Sequence, residues 1–306
     1  MEIKPEIAEL LEKLEKKYRS TGQDITAYLE GLLYRDYVTY WNYIQTDTLL
    51  SLQKPLTDIP DEEIFIMYHQ ITELYFKLVR HEMRQIAQQP GLDAAFMTAR
   101  LTRMNNYFEN LTRSFQIMIE GMDVEQFLKF RMALLPASGF QSAQYRMIEI
   151  AATDFIRLVD KDYRENYTAS SSIESMYEKI YWKAGATELG TGKKTHTLQQ
   201  FEAKYSEDFI TEARLFKDSN LWQRFLSLKT NDEALVNAMK EFDLQVNVRW
   251  PIVHMRSAAR YLKKDPEDIK ATGGTNWQKY LSPPLQKRVF YPDLWSSEEL
   301  ESWGRV

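Results

Sequence analysis

Residues 65–82 read FIMYHQITELYFKLVRHE, an amphipathic helix pattern that places a histidine among aromatic and apolar neighbours. Phe65, His69 and Glu73 are each four residues apart, so at about 100° per residue each lies roughly 40° from the next on one helical face. A polar ring buried on such a face needs a partner. Spacing alone leaves two readings of His69 and Glu73: two ligands of one metal ion, or a histidine oriented by an acid.

On either side of this stretch, apolar residues recur at intervals of three and four nearly throughout the chain, while period-2 alternation bounded by turn pairs is almost absent. The expected fold is all-α, with no sheet. Breakers at Thr21–Asp24, Pro55–Pro60 and Gln89–Gly91 divide the first helices, and a long helix is expected from about Asp93 to Glu120. Gly121–Asp123 introduces a short helix holding Phe127 and Arg131. Pro136–Gly139 then separates it from a helix expected to run from near Phe140 to Asp160. Residues 161–197 are polar and glycine-containing around SIESMYEKIYWKAG, the pattern of a peripheral excursion.

Helical periodicity returns over Asn231–Lys264, where Pro251 removes a backbone donor and must either kink the helix or open a new one. A glycine-rich loop, Ala271–Asn276, precedes a proline-rich tail in which Trp277, Phe290, Tyr291 and Trp295 are expected to pack back on the body. The length suits one large domain or two small ones. With no internal repeat and no linker, the chain is read as one domain over residues 1–306.

Composition excludes several function classes. At 44% hydrophobic the chain can bury a sizeable core, and its formal charge of -5 argues against a nucleic-acid groove, for which Lys193 and Lys194 are too few. The absence of cysteine removes disulfides, thiolate metal sites, iron–sulfur clusters and a thiol nucleophile. The charged amphipathic start and the lack of any apolar run long enough to span a membrane lead to the expectation of a soluble, cytoplasmic protein with no membrane partner.

The chain has four histidines. His196 lies in the polar run GTGKKTHT, which reads as solvated surface, and His81 lies about 120° round the helix from His69, too far to share an ion with it. No HExxH occurs and no glutamate stands three residues before any histidine, so the common helical metal signatures fail. His254 sits in WPIVHMRSAARYL, where Trp250, His254, Ser257 and Tyr261 share a face. It is either a structural histidine or one of two isolated imidazoles on different helices that could flank a haem. Arg131, between two hydrophobic runs, either snorkels to water or is buried to hold a carboxylate. The loop ATGGTN is either an ordinary turn or a set of backbone donors that closes over an anionic or zwitterionic ligand. GATELGTGKKT lacks phosphate-loop spacing.

Taken in order, the blocks YWNYIQTDTLLSLQKPL (40–56), FIMYHQITELYFKLVRHE (65–82), FRMALLPASGFQSAQYRMIE (130–149), the His254 helix and ATGGT (271–275) resemble the tryptophan 2,3-dioxygenase family of haem proteins. The resemblance covers most of the chain. It implies a single all-α domain with haem b held between helices, His254 as the proximal ligand of the iron, and His69 as the distal histidine near the indole nitrogen. It further implies that Phe65 packs on the substrate ring, that Arg131 binds the amino-acid carboxylate and Thr272 the ammonium, and that Ser138 and Gly139 lie beside the haem. Tyr40 and Tyr43 match tyrosines that reach a neighbouring subunit's pocket, so the N-terminal helix and the 40–56 segment are expected to contact a neighbour in a homotetramer.

The implied activity is insertion of both atoms of dioxygen across C2–C3 of the indole ring of L-tryptophan or a derivative, giving an N-formylkynurenine-type product. Phe127 stands where the family has a tyrosine, four residues before the carboxylate-binding arginine. Ala271 replaces a glycine, Tyr40-Trp41-Asn42-Tyr43 replaces Tyr-Gly-Gly-Tyr, and about four extra residues separate His254 from the loop. Alternatives are a monooxygenase of the same superfamily making an oxindole or hydroxylated aromatic amino acid, and a non-catalytic haem sensor or helical scaffold.

Overall fold

The computed structural model describes residues 3–35, 39–134, 141–168, 170–187, 193–262 and 282–305. Among these residues the structure is helical, with two isolated bridges, Val159 to Ile180 and Thr187 to Lys194, and no strand. The all-α expectation holds. The chain groups into two compact units, residues 1–54 and 55–306.

The first unit contains α1 (Pro5–Arg19), α2 (Ile25–Leu33) and the single turns α3 (Tyr40–Tyr43) and α4 (Thr46–Leu49). The break expected at residues 21–24 is present, and Asp24 caps α2 through the Thr26 N–H at 2.8 Å. None of these helices buries a residue fully.

The second unit is built on α5 (Asp61–Gln88), the helix of the opening stretch, and α6 (Ala94–Ser114). Pro60 precedes α5, and Asp93 caps α6 by accepting from the Phe96 N–H at 2.7 Å. The buried faces repeat at helical spacing: Tyr68, Thr72, Phe76, Val79, Met83 and Ile86 on α5, and Met97, Leu101, Met104, Phe108 and Leu111 on α6. A third layer comes from α14 (Glu233–Leu244), which packs on α6 through Leu235, Met239 and Phe242.

The helix expected over residues 93–120 is interrupted at Phe115, and a shorter helix, α7 (Gln116–Glu120), follows. The break turns the Phe115 ring into a cluster with Tyr68 and Trp250. Asp123 then caps α8 (Val124–Phe130), after which Arg131 opens a tighter turn over Arg131–Leu134. The helix expected to reach Asp160, α9 (Ala143–Ala152), stops eight residues short of it. There Thr153 turns extended and gives its hydroxyl proton to the Phe290 carbonyl, while Asp154 accepts from Asn220 and Gln223. Side-chain bonds of this kind compete with helix propagation.

Further along are α10 (Ile173–Tyr177), α11 (Tyr181–Gly185), α12 (His196–Leu215) and α13 (Leu221–Ser227). The 161–197 stretch is more than the peripheral excursion expected, because Met176, Tyr177, Ile180 and Trp182 are core residues. Pro251 produces the expected irregularity. Residues Gln245–Arg249 form a π turn that joins α14 to α15 (Trp250–Leu262). Proline offers no N–H to the carbonyl four residues back and its ring crowds that carbonyl, and a wider turn absorbs both effects.

The tail packs back as expected: Phe290 and Tyr291 are fully buried and Trp295 half-buried, whereas Trp277 lies outside the described residues. The anchor is Asp243, whose carboxylate accepts from the Phe290 and Tyr291 N–H groups at 3.0–3.1 Å, the Trp295 indole N–H at 3.2 Å and the Asn247 amide at 2.6 Å. Arg288 carries the clasp onward to Asn247, Tyr181 and, at 2.7 Å, Glu149.

Candidate functional site

His69 and His254 stand on α5 and α15, which α7 and α8 bridge. His69 Nδ1 lies 2.7 Å from the Phe65 carbonyl one turn back, and the two rings lie 4.1 Å apart. A carbonyl only accepts, so Nδ1 carries the proton and Nε2 keeps its lone pair. Glu73 is not the orienting acid. Its carboxylate accepts from the Ser142 hydroxyl at 2.6 Å and the Gln144 amide at 2.9 Å, joining α5 to the start of α9. The metal reading of the pair also finds no support, since among the described residues no three His, Asp or Glu side chains gather around a possible ion.

Burial lowers the His69 pKa, against the opposing pull of the Phe65 carbonyl and Glu73. The ring nevertheless keeps accessible surface. A side chain lining a cleft combines both properties, being surrounded by protein yet open on one side.

His254 is half-buried among Phe115, at 5.6 Å between ring centres, and Trp250, at 6.4 Å. Burial, with a smaller push from His69, lowers its pKa to about 4, so the imidazole is neutral at pH 7. Its Nδ1 is buried and has no hydrogen-bond partner among the described residues. The rings of Tyr68 and Phe115 lie 5.5 Å apart and connect the surroundings of the two histidines.

A second aromatic group joins the distal side to α8. Phe65 lies 5.7 Å from Phe130 and 6.2 Å from Phe127, and Phe127 lies 4.4 Å from Tyr261, two turns beyond His254. The Tyr261 hydroxyl is directed to the Met122 carbonyl at 3.4 Å. One turn after Phe127, Arg131 is half-buried, its Nε is enclosed without a partner, and desolvation alone lowers its pKa. No carboxylate among the described residues pairs with it. A partly desolvated guanidinium with no carboxylate partner among the described residues favours a planar anion, which it can bind with two parallel N–H bonds.

The structure thus brings together His69, Phe65 and Phe127, with Arg131 one turn after Phe127, and ties His254 to them through Phe115 and Tyr261. Tyr40 and Tyr43 are exposed residues of the first unit, while Ser138, Gly139 and Thr272 lie outside the described residues. His81 and His196 are exposed, as their neighbours imply. Phe115 and Tyr68 escaped the sequence reading. Their signal was the heptad-like run 104, 108, 111, 115 on one helix and the residue beside His69 on another.

Could this centre hold a haem? The donor set fits: a neutral imidazole on α15 whose Nδ1 has no hydrogen-bond partner among the described residues, aromatic walls, and a second neutral histidine that belongs to a different helix.

Residues 31–181 match the family model described as tryptophan 2,3-dioxygenase. Among curated proteins, the chain is 30% identical over 273 residues to a tryptophan 2,3-dioxygenase of Bacillus thuringiensis subsp. konkukian, covering 86% of this chain and 92% of the relative. The namesake of Geobacillus thermodenitrificans is 28% identical over the same shares, and that of Xanthomonas oryzae pv. oryzae 27% identical over 92% of each chain. With such a relative matched over nearly its whole length, the chain belongs to the tryptophan 2,3-dioxygenase family.

Proposed function

We propose that this protein is a haem-dependent dioxygenase that acts on the indole ring of L-tryptophan or a tryptophan derivative and inserts both atoms of dioxygen across C2–C3, giving an N-formylkynurenine-type product. The observation that carries the reading is Arg131, a partly desolvated guanidinium with no carboxylate partner among the described residues, one turn from the Phe65–Phe127–Phe130 cluster. An aromatic amino acid offers what each lacks: a carboxylate for the arginine and a flat apolar ring for the cluster.

In this reading His69 holds the indole N–H through the Nε2 lone pair that the Phe65 carbonyl leaves free. Phe65 and Phe127 orient the ring and exclude water, and Arg131 fixes the opposite end of the substrate. His254 would hold haem b through its neutral imidazole, with Ser138 and Gly139 beside the macrocycle. Haem b, when bound, supplies the redox-active iron that dioxygen chemistry requires. Thr272 would bind the ammonium, supported by its match to the family's ATGGT-type loop.

The same family pattern supports a cytoplasmic homotetramer in which residues 1–306 act as one oxygenase domain, with Tyr40 and Tyr43 completing a neighbour's pocket. Both tyrosines are exposed, at 74% and 79%, and so are available for such a contact. No helix among the described residues is long and apolar enough to cross a membrane.

The test is to reconstitute the protein with haem b, reduce it, supply L-tryptophan and dioxygen, and weigh the product. A gain of two oxygen atoms with N-formylkynurenine absorption supports the proposal. A gain of one moves the protein to the monooxygenases, and a haem spectrum indifferent to aromatic amino acids supports the sensor reading.

A further inference from the structure

The helix α5 has a second apolar face that the site does not use. Met67, Ile71, Leu74 and Leu78 are 38%, 42%, 48% and 43% exposed, where the buried row of the same helix is nearly sealed. Their 4-3-4 spacing gathers them within about 60° of the helical circumference, nearly opposite His69. Scattered exposed apolar residues are ordinary, but four in one narrow seam have the periodicity of a helix that packs on another helix.

The charges beside the seam say which helix. Glu63, Lys77 and Arg84 all lie on one shoulder of it, and all three are exposed. None of their side chains forms an ion pair or hydrogen bond with a described residue, whereas charges elsewhere on α5 are engaged: Arg80 with Glu212 at 3.1 Å and Glu82 with Arg103 at 2.8 Å. The unpaired acid is at the N-terminal end of the seam and the unpaired bases are at the C-terminal end.

We propose that this face binds a second copy of the chain, α5 against α5, antiparallel across a twofold axis near residues 72–73. In that arrangement the seam is self-complementary: Met67 of each copy lies level with Leu78 of the other, and Ile71 with Leu74. Antiparallel helices related by a twofold bring the same shoulder of each together, so Glu63 meets the other copy's Arg84 at both ends and Lys77 flanks the centre. A parallel pairing would instead put the two charged shoulders on opposite sides of the seam, where Glu63 and Arg84 could not meet. This inference goes beyond the oligomer proposed above by naming the face, and it rests on the chain self-associating.

The chain has no cysteine, so introduced thiols are the only ones. Met67→Cys and Leu78→Cys are made singly and together in the full chain, oxidised mildly and run on non-reducing gels, with helicity checked by circular dichroism. In the proposed pairing residue 67 of one copy is about 16 Å along the axis from residue 67 of the other, beyond disulfide reach, but level with residue 78. The double variant should therefore form a covalent dimer and neither single variant should. Glu63→Arg alone should raise the dimer dissociation constant about tenfold, and adding Arg84→Glu should restore it.

Linking by the single variants as readily as by the double would overturn the antiparallel arrangement. An oligomer by light scattering that none of the variants links would overturn the choice of face, and a monomer would overturn both this inference and the oligomer on which it rests. None of these measurements reads turnover, so failure here is distinguishable from failure of the oxygenase assignment.

Discussion

Replacing Arg131 with methionine should move stability and substrate affinity in opposite directions. The guanidinium is half-buried, has an enclosed Nε without a partner and touches no carboxylate among the described residues, so the substrate-free protein holds it at a loss. Methionine keeps the apolar stem and removes the uncompensated polar head. The variant should be as stable as the parent or more so, by up to about 1 kcal/mol in a denaturant melt. Affinity for L-tryptophan should fall by about 3 kcal/mol, on the order of a hundredfold, the scale of a charge-assisted bond lost from a desolvated site. Tryptamine, which has the indole and ammonium but no carboxylate, should bind parent and variant alike. Titrating both ligands into both proteins, followed by the haem absorption band, completes the comparison. A loss of stability above about 2 kcal/mol would mean that Arg131 holds the fold together, and an equal loss of affinity for both ligands would mean that it does not meet the carboxylate.

His69→Leu should weaken L-tryptophan binding about five- to tenfold, the scale of one neutral hydrogen bond, and leave 1-methyltryptophan unaffected because that ligand has no indole N–H to give. Asp243→Leu strands the N–H groups of Phe290, Tyr291 and Trp295 and should cost at least about 3 kcal/mol, read as a lower midpoint in urea. Asp243 also predicts a pH dependence. Burial pushes its pKa up to about 6 from 3.8, so between those values the folded chain holds a proton that the unfolded chain has released, and stability falls as pH rises. The fall should total about 2 kcal/mol from pH 4 to pH 6 and be largely absent in Asp243→Asn, as paired denaturant melts at those pH values would report.

Much of the fold was legible because it rests on local signals. The breaks at residues 21–24, 55–60 and 89–91 predicted the end of α1, the start of α2 and both ends of α5 to within a residue or two, and Pro251 announced the irregularity before His254. The failures have long-range causes. α9 ends early because Thr153 and Asp154 find partners at Phe290, Asn220 and Gln223, 66 to 137 residues away in sequence. Residues 173–185 looked peripheral from their polarity, yet Trp182 fills a gap among Tyr177, Phe201 and Phe209 that no local pattern could reveal. At the site, the four-residue spacing of His69 and Glu73 suggested a bond between them. The structure gives each a different partner, because Ser142 and Gln144 reach Glu73 from another helix.

The position of His254 depends on residues far from any substrate. The π turn at residues 245–249 sets the rotation with which α15 leaves α14, and hence which side of α15 carries His254 and Tyr261 toward Phe115 and Phe127. That turn is held at one end by Pro251 and at its middle by Asn247, whose amide donates to Asp243 and whose oxygen accepts from Arg288. Asp243 in turn clamps the tail backbone, and Arg288 joins the Glu149–Arg146 pair on α9, the helix that begins where Ser142 and Gln144 reach Glu73. A series of hydrogen bonds and ion pairs therefore runs from the π turn before the His254 helix through the tail to α9, whose start bonds to α5 one turn from His69. In a protein whose two histidines sit on helices with little direct contact, this network and the aromatic bridge of Tyr68 and Phe115 keep them at a fixed separation. Conditions that release the tail should therefore disturb the His254 side of the site before the rest of the helical core unfolds.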